Sequence, residues 1–256
     1  MFGRKKKLSP SNQTPANPVP VVKDTSGAPA VNLAKIAAAG HVNLSKAAEK
    51  VGVSLQKRGL AGMRGRVIVL LDHSGSMYGD FQSGTVQKLL ERTLGFGLQV
   101  DTDGAMEVIP FDSQVWATVT VGINDYRQAS QAVWRPNQMG STNLTAALDV
   151  VRGEAGRTQE PIVCVVLADG NPNDRRSATD MVVDLARYPV WLKFLALRDV
   201  PYLKELDDMD GGRLLDNVDA KTITDPAGIS DDEFAEAMVD EWETWIDAAT
   251  RAGVLR

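Results

Sequence analysis

Hydroxyl and carboxylate side chains occur together at three separated points of the chain, and all of them are hard oxygen donors. Asp72, Ser74 and Ser76 form an Asp-x-Ser-x-Ser motif, whereas Thr142 and Asp169 lie far downstream. Mg²⁺ prefers near-octahedral oxygen ligands at about 2.1 Å and tends to keep several of its waters, so hydroxyls and carboxylates suit it better than sulfur or imidazole. These residue types predict a site for one hard divalent cation.

Each of the three points lies at the end of a predicted element of secondary structure. Residues 67–71 are a continuous β-branched and leucine run, typical of a strand that is buried on both faces of a parallel sheet, and Asp72 follows it directly. Asp169 follows a second apolar run, and Thr142 precedes a helical pattern that begins at Leu144. Ligands of open parallel sheets bind beyond the carboxyl ends of the strands, so we expect these side chains to meet there.

The remaining pattern alternates strands with helices, which predicts a doubly wound α/β sheet, mostly parallel, with helices on both faces. One antiparallel edge strand is expected, because residues 114–121 alternate apolar and polar and follow a turn at Asp112-Ser113. The predicted strands are 66–71, 106–111, 114–121, 162–168, 190–197 and 213–218, and the predicted helices are 85–100, 144–152, 178–187, 203–209 and 231–250.

The chain divides by composition into three parts. Residues 1–30 carry five prolines among Ser, Asn and Thr, which predicts a disordered Pro-rich tail. Residues 31–63 place Leu44, Ala47, Ala48 and Val51 at helical spacing between glycines, which predicts an N-terminal packing appendage. Residues 64–256 are the predicted α/β domain.

Charge and cysteine usage restrict the class of function. A formal net charge of -5 argues against nonspecific nucleic-acid binding, which needs a surplus of Lys and Arg. The only cysteine, Cys164, cannot form an intramolecular disulfide, and it sits in an apolar strand where an inert buried thiol is expected. No signal peptide and no membrane span of about 20 apolar residues is found, so a cytoplasmic location is expected.

The motif resembles the metal-ion-dependent adhesion site of von Willebrand factor A (VWA) domains, which uses Asp-x-Ser-x-Ser, a distant Thr and a distant Asp. The resemblance covers roughly residues 66–255 and implies that Ser74 and Ser76 bind the ion directly. It implies that Thr142 binds directly or through water, and that Asp72 and Asp169 act largely through water and hydrogen bonds. The ion, Mg²⁺ with Mn²⁺ or Ca²⁺ as alternatives, would then keep an open side for an Asp or Glu carboxylate of a partner protein.

Within that family the chain is most similar to the bacterial tellurium-resistance-type members. The similarity lies in residues 53–57 (Val-Ser-Leu-Gln-Lys) before the domain and residues 242–255 at its end. It implies a role in a tellurium-resistance or stress response, or in a phage-related complex.

Several residues have simpler interpretations. Asp72 and Asp169 could be helix N-caps, since Asp between a strand and a helix is a common cap. His73 is expected to be a solvated loop residue outside the site. The stripe that begins with Trp242 and Trp245 is expected to seal the core of the domain.

Protein binding through the metal requires no catalysis, so an enzyme is not expected. Two other functions are alternatives to it. A metal-assisted hydrolase or phosphotransferase would use Asp72 as nucleophile or base and Ser74 to hold a substrate phosphate. Its other parts are missing, because the sequence has no phosphate-binding Gly-x-x-x-x-Gly-Lys-Ser/Thr loop and no Gly-x-Ser-x-Gly elbow. The third function is a scaffold in which the metal is purely structural.

Overall fold

The computed structural model describes residues 13–256, and these residues build one six-stranded sheet with helices on both faces. In chain order the strands are β1 (Arg66–Asp72), β2 (Ala105–Phe111), β3 (Val119–Gly122), β4 (Ile162–Ala168), β5 (Val190–Ala196) and β6 (Val218–Thr222). Their order across the sheet is β3-β2-β1-β4-β5-β6, and every neighbouring pair is parallel except β2 with β3. The predicted doubly wound sheet with one antiparallel edge strand is confirmed.

Within residues 13–256 the helices in chain order are α1 (Leu33–Ala38), α2 (Val42–Lys57), α3 (Tyr78–Gln82), α4 (Thr85–Val100), α5 (Ala129–Val133), α6 (Leu144–Ala155), α7 (Arg175–Leu185), α8 (Pro201–Asp207), α9 (Asp231–Val239) and α10 (Trp242–Arg251). Short 3₁₀ turns at Gly75–Met77 and Tyr126–Gln128 precede α3 and α5. A helix thus follows nearly every strand, as right-handed parallel crossovers require.

The core has two layers, one on each face of the sheet. Side chains of a strand alternate between faces, so Val67, Val69 and Leu71 of β1 enter one apolar cluster, whereas Ile68 and Leu70 enter the other. The first cluster also takes side chains from α2, α4, α9 and α10, and the second takes them from α6, α7 and α8. Cys164 is fully buried in the second cluster, and burial raises its pKa, as expected of an inert thiol.

Helix α4 is covered on two sides, by the sheet and by α2. The buried residues of α2 include Leu44, Ala48, Val51 and Leu55, whose spacing of three and four residues puts them on one helical stripe. Gly95 of α4 faces this stripe, and a Cβ built on it would lie 3.4 Å from the Ala47 Cβ. Helix α2 therefore packs closely on α4 and completes the core.

The N-terminal segment departs from the predicted tail. Residues 1–12 lie outside the described residues, but Val19 is buried and forms a parallel bridge with Leu255. The Val19 amide donates to Val254, and the Arg256 amide donates back to Val19 at 3.0 Å. The prediction of disorder is therefore wrong for residues 13–30, because apolar side chains between the prolines bury against the C-terminal residues.

Three elements differ most from the prediction. Only residues 119–121 of the predicted strand 114–121 belong to β3, and Phe111 forms an isolated bridge with Val115. The last strand is β6, which begins at Val218 where the predicted strand 213–218 ends. The predicted helix 231–250 is two helices, because Glu241 has φ 64°, a left-handed conformation that interrupts the helix.

The break at Glu241 places the aromatic side chains of α10 in the core. Trp242 stacks on Trp191 of β5, with ring centroids 5.8 Å apart and an interplanar angle of 10°. Trp242 and Trp245 are both buried, so the expected core role of this stripe is confirmed. As for membranes, none of the helices found in residues 13–256 is long and apolar enough to span one.

Candidate metal centre

Hydrogen bonds link four of the predicted residues at the carboxyl end of β1. The Asp72 Oδ1 accepts from the Ser74 amide at 2.8 Å, and the hydroxyls of Ser74 and Ser76 are 3.0 Å apart. The Ser76 hydroxyl donates to the Asp169 Oδ1 at 2.7 Å. The structure therefore brings together two loops that are 93 residues apart in the sequence.

Asp72 is the electrostatically strained member of this group. The residue is fully buried, and no hydrogen bond from residues 13–256 reaches its Oδ2. Burial raises the pKa of Asp72 to about 7, and nearby Asp169 and Asp112 raise it too, against the lowering effect of the hydrogen bonds from Ser74. A buried carboxylate oxygen without a donor is costly, so this position favours a cation.

Thr142 lies on a third loop, which contacts the loops of Ser74 and Asp169. The Gly75 amide donates to the Gly140 carbonyl at 2.9 Å, which holds this loop against the Ser74 loop. The Thr142 amide donates to the Asn173 Oδ1 at 3.0 Å and so fixes it to the loop after β4. Thr142 is 8% exposed, and among the described residues no hydrogen bond joins its hydroxyl to Ser74, Ser76 or Asp169.

Gly140 is required by a close approach of another loop. A Cβ on Gly140 would overlap the Ser113 hydroxyl, because the loop after β2 packs directly against it. The Ser113 hydroxyl accepts from the Ser141 amide at 3.0 Å, and the Asn143 amide donates to the Asp112 carbonyl at 2.9 Å. The loops after β1, β2 and β4 therefore all position the Thr142 segment.

Helix capping does not explain the two site aspartates. Helix α6 is capped by Asn143, whose side chain accepts from the Ala146 amide. The Asp174 carboxylate accepts from the first two amides of α6, at 3.1 and 2.8 Å. Neither Asp72 nor Asp169 is the N-cap of a helix in residues 13–256.

His73 is not the solvated loop residue that was expected. The side chain is completely buried, its Nδ1 lies 3.1 Å from the Asp112 Oδ2, and its Nε2 accepts from the Arg135 amide at 2.9 Å. The same Asp112 oxygen accepts from the Trp116 indole at 2.9 Å. Because strand side chains alternate, Asp72 and Ser74 share one direction and His73 takes the other, a signal that was available in the sequence.

Arg198 is a second residue that the sequence pattern missed. It lies just after β5, from which only Leu197 separates it. Its Nη1 donates to the Asp169 Oδ2 and its Nη2 to the Asp80 Oδ2, both at 2.9 Å. The only signal for it is its place, since it is the first charged residue after a strand that ends at the same edge of the sheet.

A second acidic cluster lies elsewhere in the fold. The carboxylates of Asp207, Asp219 and Glu241 are close enough to share an ion. However, Lys193 forms a fully buried ion pair with Asp219, and Lys221 lies 2.9 Å from Asp219 and 4.0 Å from Glu241. This cluster is already partnered by two lysines.

The residues at the end of β1 fit a hard divalent cation. Their donors are hydroxyls and carboxylates, and the carboxylates of Asp72, Asp80 and Asp169 against the guanidinium of Arg198 leave a charge of -2 when all are ionised. A divalent cation would balance that charge, and it would supply the buried Asp72 with a counter-charge that no ion pair in residues 13–256 provides.

The comparisons with known proteins agree with this architecture. The family model "vWA found in TerF C terminus" (vWA-TerF-like) matches residues 64–255. The uncharacterized protein YcbR of Bacillus subtilis is 27% identical over 219 residues, which cover 81% of this chain and 88% of YcbR.

Two solved structures are similar in fold. The manganese-loaded TRAP protein of Plasmodium vivax is 18% identical with a TM-score of 0.49, over 70% of this chain and 73% of that one. The SpRpn10 VWA domain is 8% identical with a TM-score of 0.47, over 67% and 93%. Since the family model covers most of the chain, this protein belongs to the vWA-TerF-like family of VWA domains.

Proposed function

We propose that this protein is a divalent-metal-dependent protein-binding module that grips an acidic side chain of a partner. Ser74, Ser76 and Thr142 would hold the ion, with Asp72 and Asp169 acting through water and hydrogen bonds. The observation that carries the proposal is the Asp72 Oδ2, which is buried beside two serine hydroxyls with no hydrogen bond from the described residues. The bound ion supplies an electrophilic position at which a carboxylate oxygen can replace water.

The distribution of exposure supports binding in preference to a closed structural site. Ser76 is exposed, whereas Ser74, Thr142 and Asp169 are buried beneath it. An ion held there faces solvent on the side of Ser76, which leaves room for a ligand from another protein. The family is described from the C terminus of TerF, and we propose a tellurium-resistance or stress-response role in the bacterial cytoplasm on that basis.

Metal binding is tested by calorimetry on the full chain. We expect Mg²⁺ and Mn²⁺ to bind with an affinity of about micromolar to millimolar. Ser74→Ala and Thr142→Ala should weaken binding at least about tenfold, because each removes a direct oxygen ligand. Thr25→Ala is the matched control, because Thr25 is exposed. Its neighbour Asp24 donates a backbone hydrogen bond to Gly62 and forms an ion pair with Arg64, and both of these residues precede β1. Equal heats in all four proteins would refute the proposed site.

Partner capture is tested with peptides selected on the immobilised full chain in Mg²⁺. The selected peptides should contain Asp or Glu and should be released by EDTA, and their binding should be lost with Thr142→Ala but kept with Thr25→Ala. If the chain binds Mg²⁺ but the binding of the selected peptides is unchanged by EDTA and by Thr142→Ala, the ion is purely structural and the proposed role in gripping a partner is overturned.

A further inference from the structure

Arg198 joins two of the loops that form the metal centre. Its guanidinium donates to the Asp169 Oδ2 and to the Asp80 Oδ2, so it connects the loop after β4 to helix α3 just beyond Ser76. The Arg198 side chain is 50% exposed, whereas the side chains of Asp169 and Asp80 are 4% and 14% exposed. The guanidinium of Arg198 therefore covers the carboxylates of Asp169 and Asp80 on the solvent side of the site.

Both oxygens of Asp169 are engaged by this arrangement. Oδ1 accepts from the Ser76 hydroxyl at 2.7 Å, and Oδ2 accepts from Arg198. A carboxylate whose oxygens each accept a strong hydrogen bond is held in one orientation and has part of its charge balanced, so direct binding to an ion must compete with those donors. Within the described residues, Asp72 has no comparable restraint on its Oδ2.

We infer that Arg198 is a positioning residue that keeps Asp169 out of direct contact with the bound ion and so preserves the ion's open position for a partner carboxylate. This inference rests on the proposed function. Held by Arg198, Asp169 polarises the Ser76 hydroxyl and does not neutralise the ion. Released from Arg198, it becomes an internal competitor for the position that the partner needs.

The net charge gives the direction of the effect. With Arg198 the three carboxylates of the site leave a charge of -2, and without it they leave -3, so the site attracts a cation more strongly. Arg198→Met should therefore tighten Mn²⁺ binding at least about tenfold, since a unit charge a few ångströms from a divalent ion has that effect even when screening is as strong as in bulk water. A residue that merely braced the loops would produce weaker Mn²⁺ binding when removed.

The experiment measures Mn²⁺ affinity and Mn²⁺ hydration in the full chain. Calorimetry gives the affinity, and water-proton relaxation gives the number of exchangeable waters on the ion. For Arg198→Met we expect tighter binding, loss of about one exchangeable water as Asp169 takes its place, and at least about fivefold weaker binding of acetate to the Mn²⁺-loaded protein.

Two further variants separate charge from position. Arg198→Lys keeps the charge but lacks the two-pronged donor, so it should lose the water while its Mn²⁺ affinity changes less than that of Arg198→Met. Arg251→Met is the control, because Arg251 is an exposed arginine at the end of α10. It should match the unmodified chain in every measurement.

Each outcome decides one question. Unchanged hydration in both Arg198 variants, or weaker Mn²⁺ binding in Arg198→Met, would overturn the positioning role and leave the proposed metal site intact. Failure of the unmodified chain to bind Mn²⁺ would overturn both. Circular dichroism confirms folding, which should be little affected because the Arg198 side chain is half exposed in its ion pairs.

Discussion

His73 donates a hydrogen bond from Nδ1 to Asp112, a residue 39 positions away at the end of the neighbouring strand. The proton is on Nδ1, because Nε2 accepts from the Arg135 amide. This neutral histidine therefore connects three segments behind the candidate metal centre. The variable residue between Asp72 and Ser74 thus has a structural role in this protein.

His73→Ala should lower the free energy of unfolding by about 3 kcal/mol, because it removes two buried hydrogen bonds and leaves the Arg135 amide without its acceptor. Urea unfolding in EDTA measures the change. His41→Ala is the control, since the Nδ1 of His41 has no hydrogen-bond partner in residues 13–256. A similar small loss in both variants would show that the His73 bonds do not hold the loops.

Asp72 should make the metal-free protein less stable as the pH rises. Its pKa is about 7 in the folded protein and near 3.8 when unfolded, so the folded state binds the proton more tightly. The cost of ionising it grows between these values and is then constant at about 4 kcal/mol, of which about 3 kcal/mol accumulates between about pH 5 and about pH 8. Unfolding in EDTA at about pH 5 and about pH 8 should show that loss in the unmodified chain and much less of it in Asp72→Asn.

Mg²⁺ provides the second half of that test. At pH 8 it should restore the stability of the unmodified chain, because it supplies the missing counter-charge, and it should have little effect on Asp72→Asn. If the two proteins keep the same difference in stability at both pH values, Asp72 is not the strained carboxylate.

Helix α2 should behave as part of the core although it precedes the residues that match the family model. Val51→Ala should cost about 2 kcal/mol, because Val51 is 2% exposed in the first apolar cluster, whereas Val53→Ala should cost less than about 0.5 kcal/mol because Val53 is 46% exposed. Thermal or urea unfolding compares the two. Equal costs would mean that α2 does not share the core.

The buried Lys193 and Asp219 should be strongly coupled. Asp219→Leu leaves the Lys193 ammonium buried without that partner and should cost about 3 to 5 kcal/mol, while adding Lys193→Met should recover most of the loss. Unfolding of both single variants and the double variant gives the coupling. Additive costs would show that the two groups act independently.

The sequence indicated the residues of the candidate site more readily than the groups that hold them in place. Asp72, Ser74, Ser76 and Asp169 could be found because their chemistry and their place after buried strands coincide, and the structure connects them by hydrogen bonds. Arg198 and the partners of His73 could not be found, because these contacts join residues that are far apart in the sequence. No local pattern records such pairs.

The wrong boundaries have similar causes. Residues 213–217 form an irregular segment. Buried residues, among them Arg213 and Asn217, alternate there with more exposed ones, as they do in a half-buried strand. Glu241 takes a left-handed conformation without the glycine that usually indicates one. Val19 lies among prolines, so composition concealed an apolar residue that is buried through its pairing with Leu255.

That pairing of Val19 with Leu255 has a consequence for how the protein opens. Terminal segments usually fray independently, but here each one supplies the backbone partners of the other. Both segments should therefore detach in a single local unfolding event, and the amides of Val19 and Arg256, which donate across the pairing, should show the same protection from hydrogen exchange. Protease cleavage near residue 16 should then speed exchange at the opposite end of the chain.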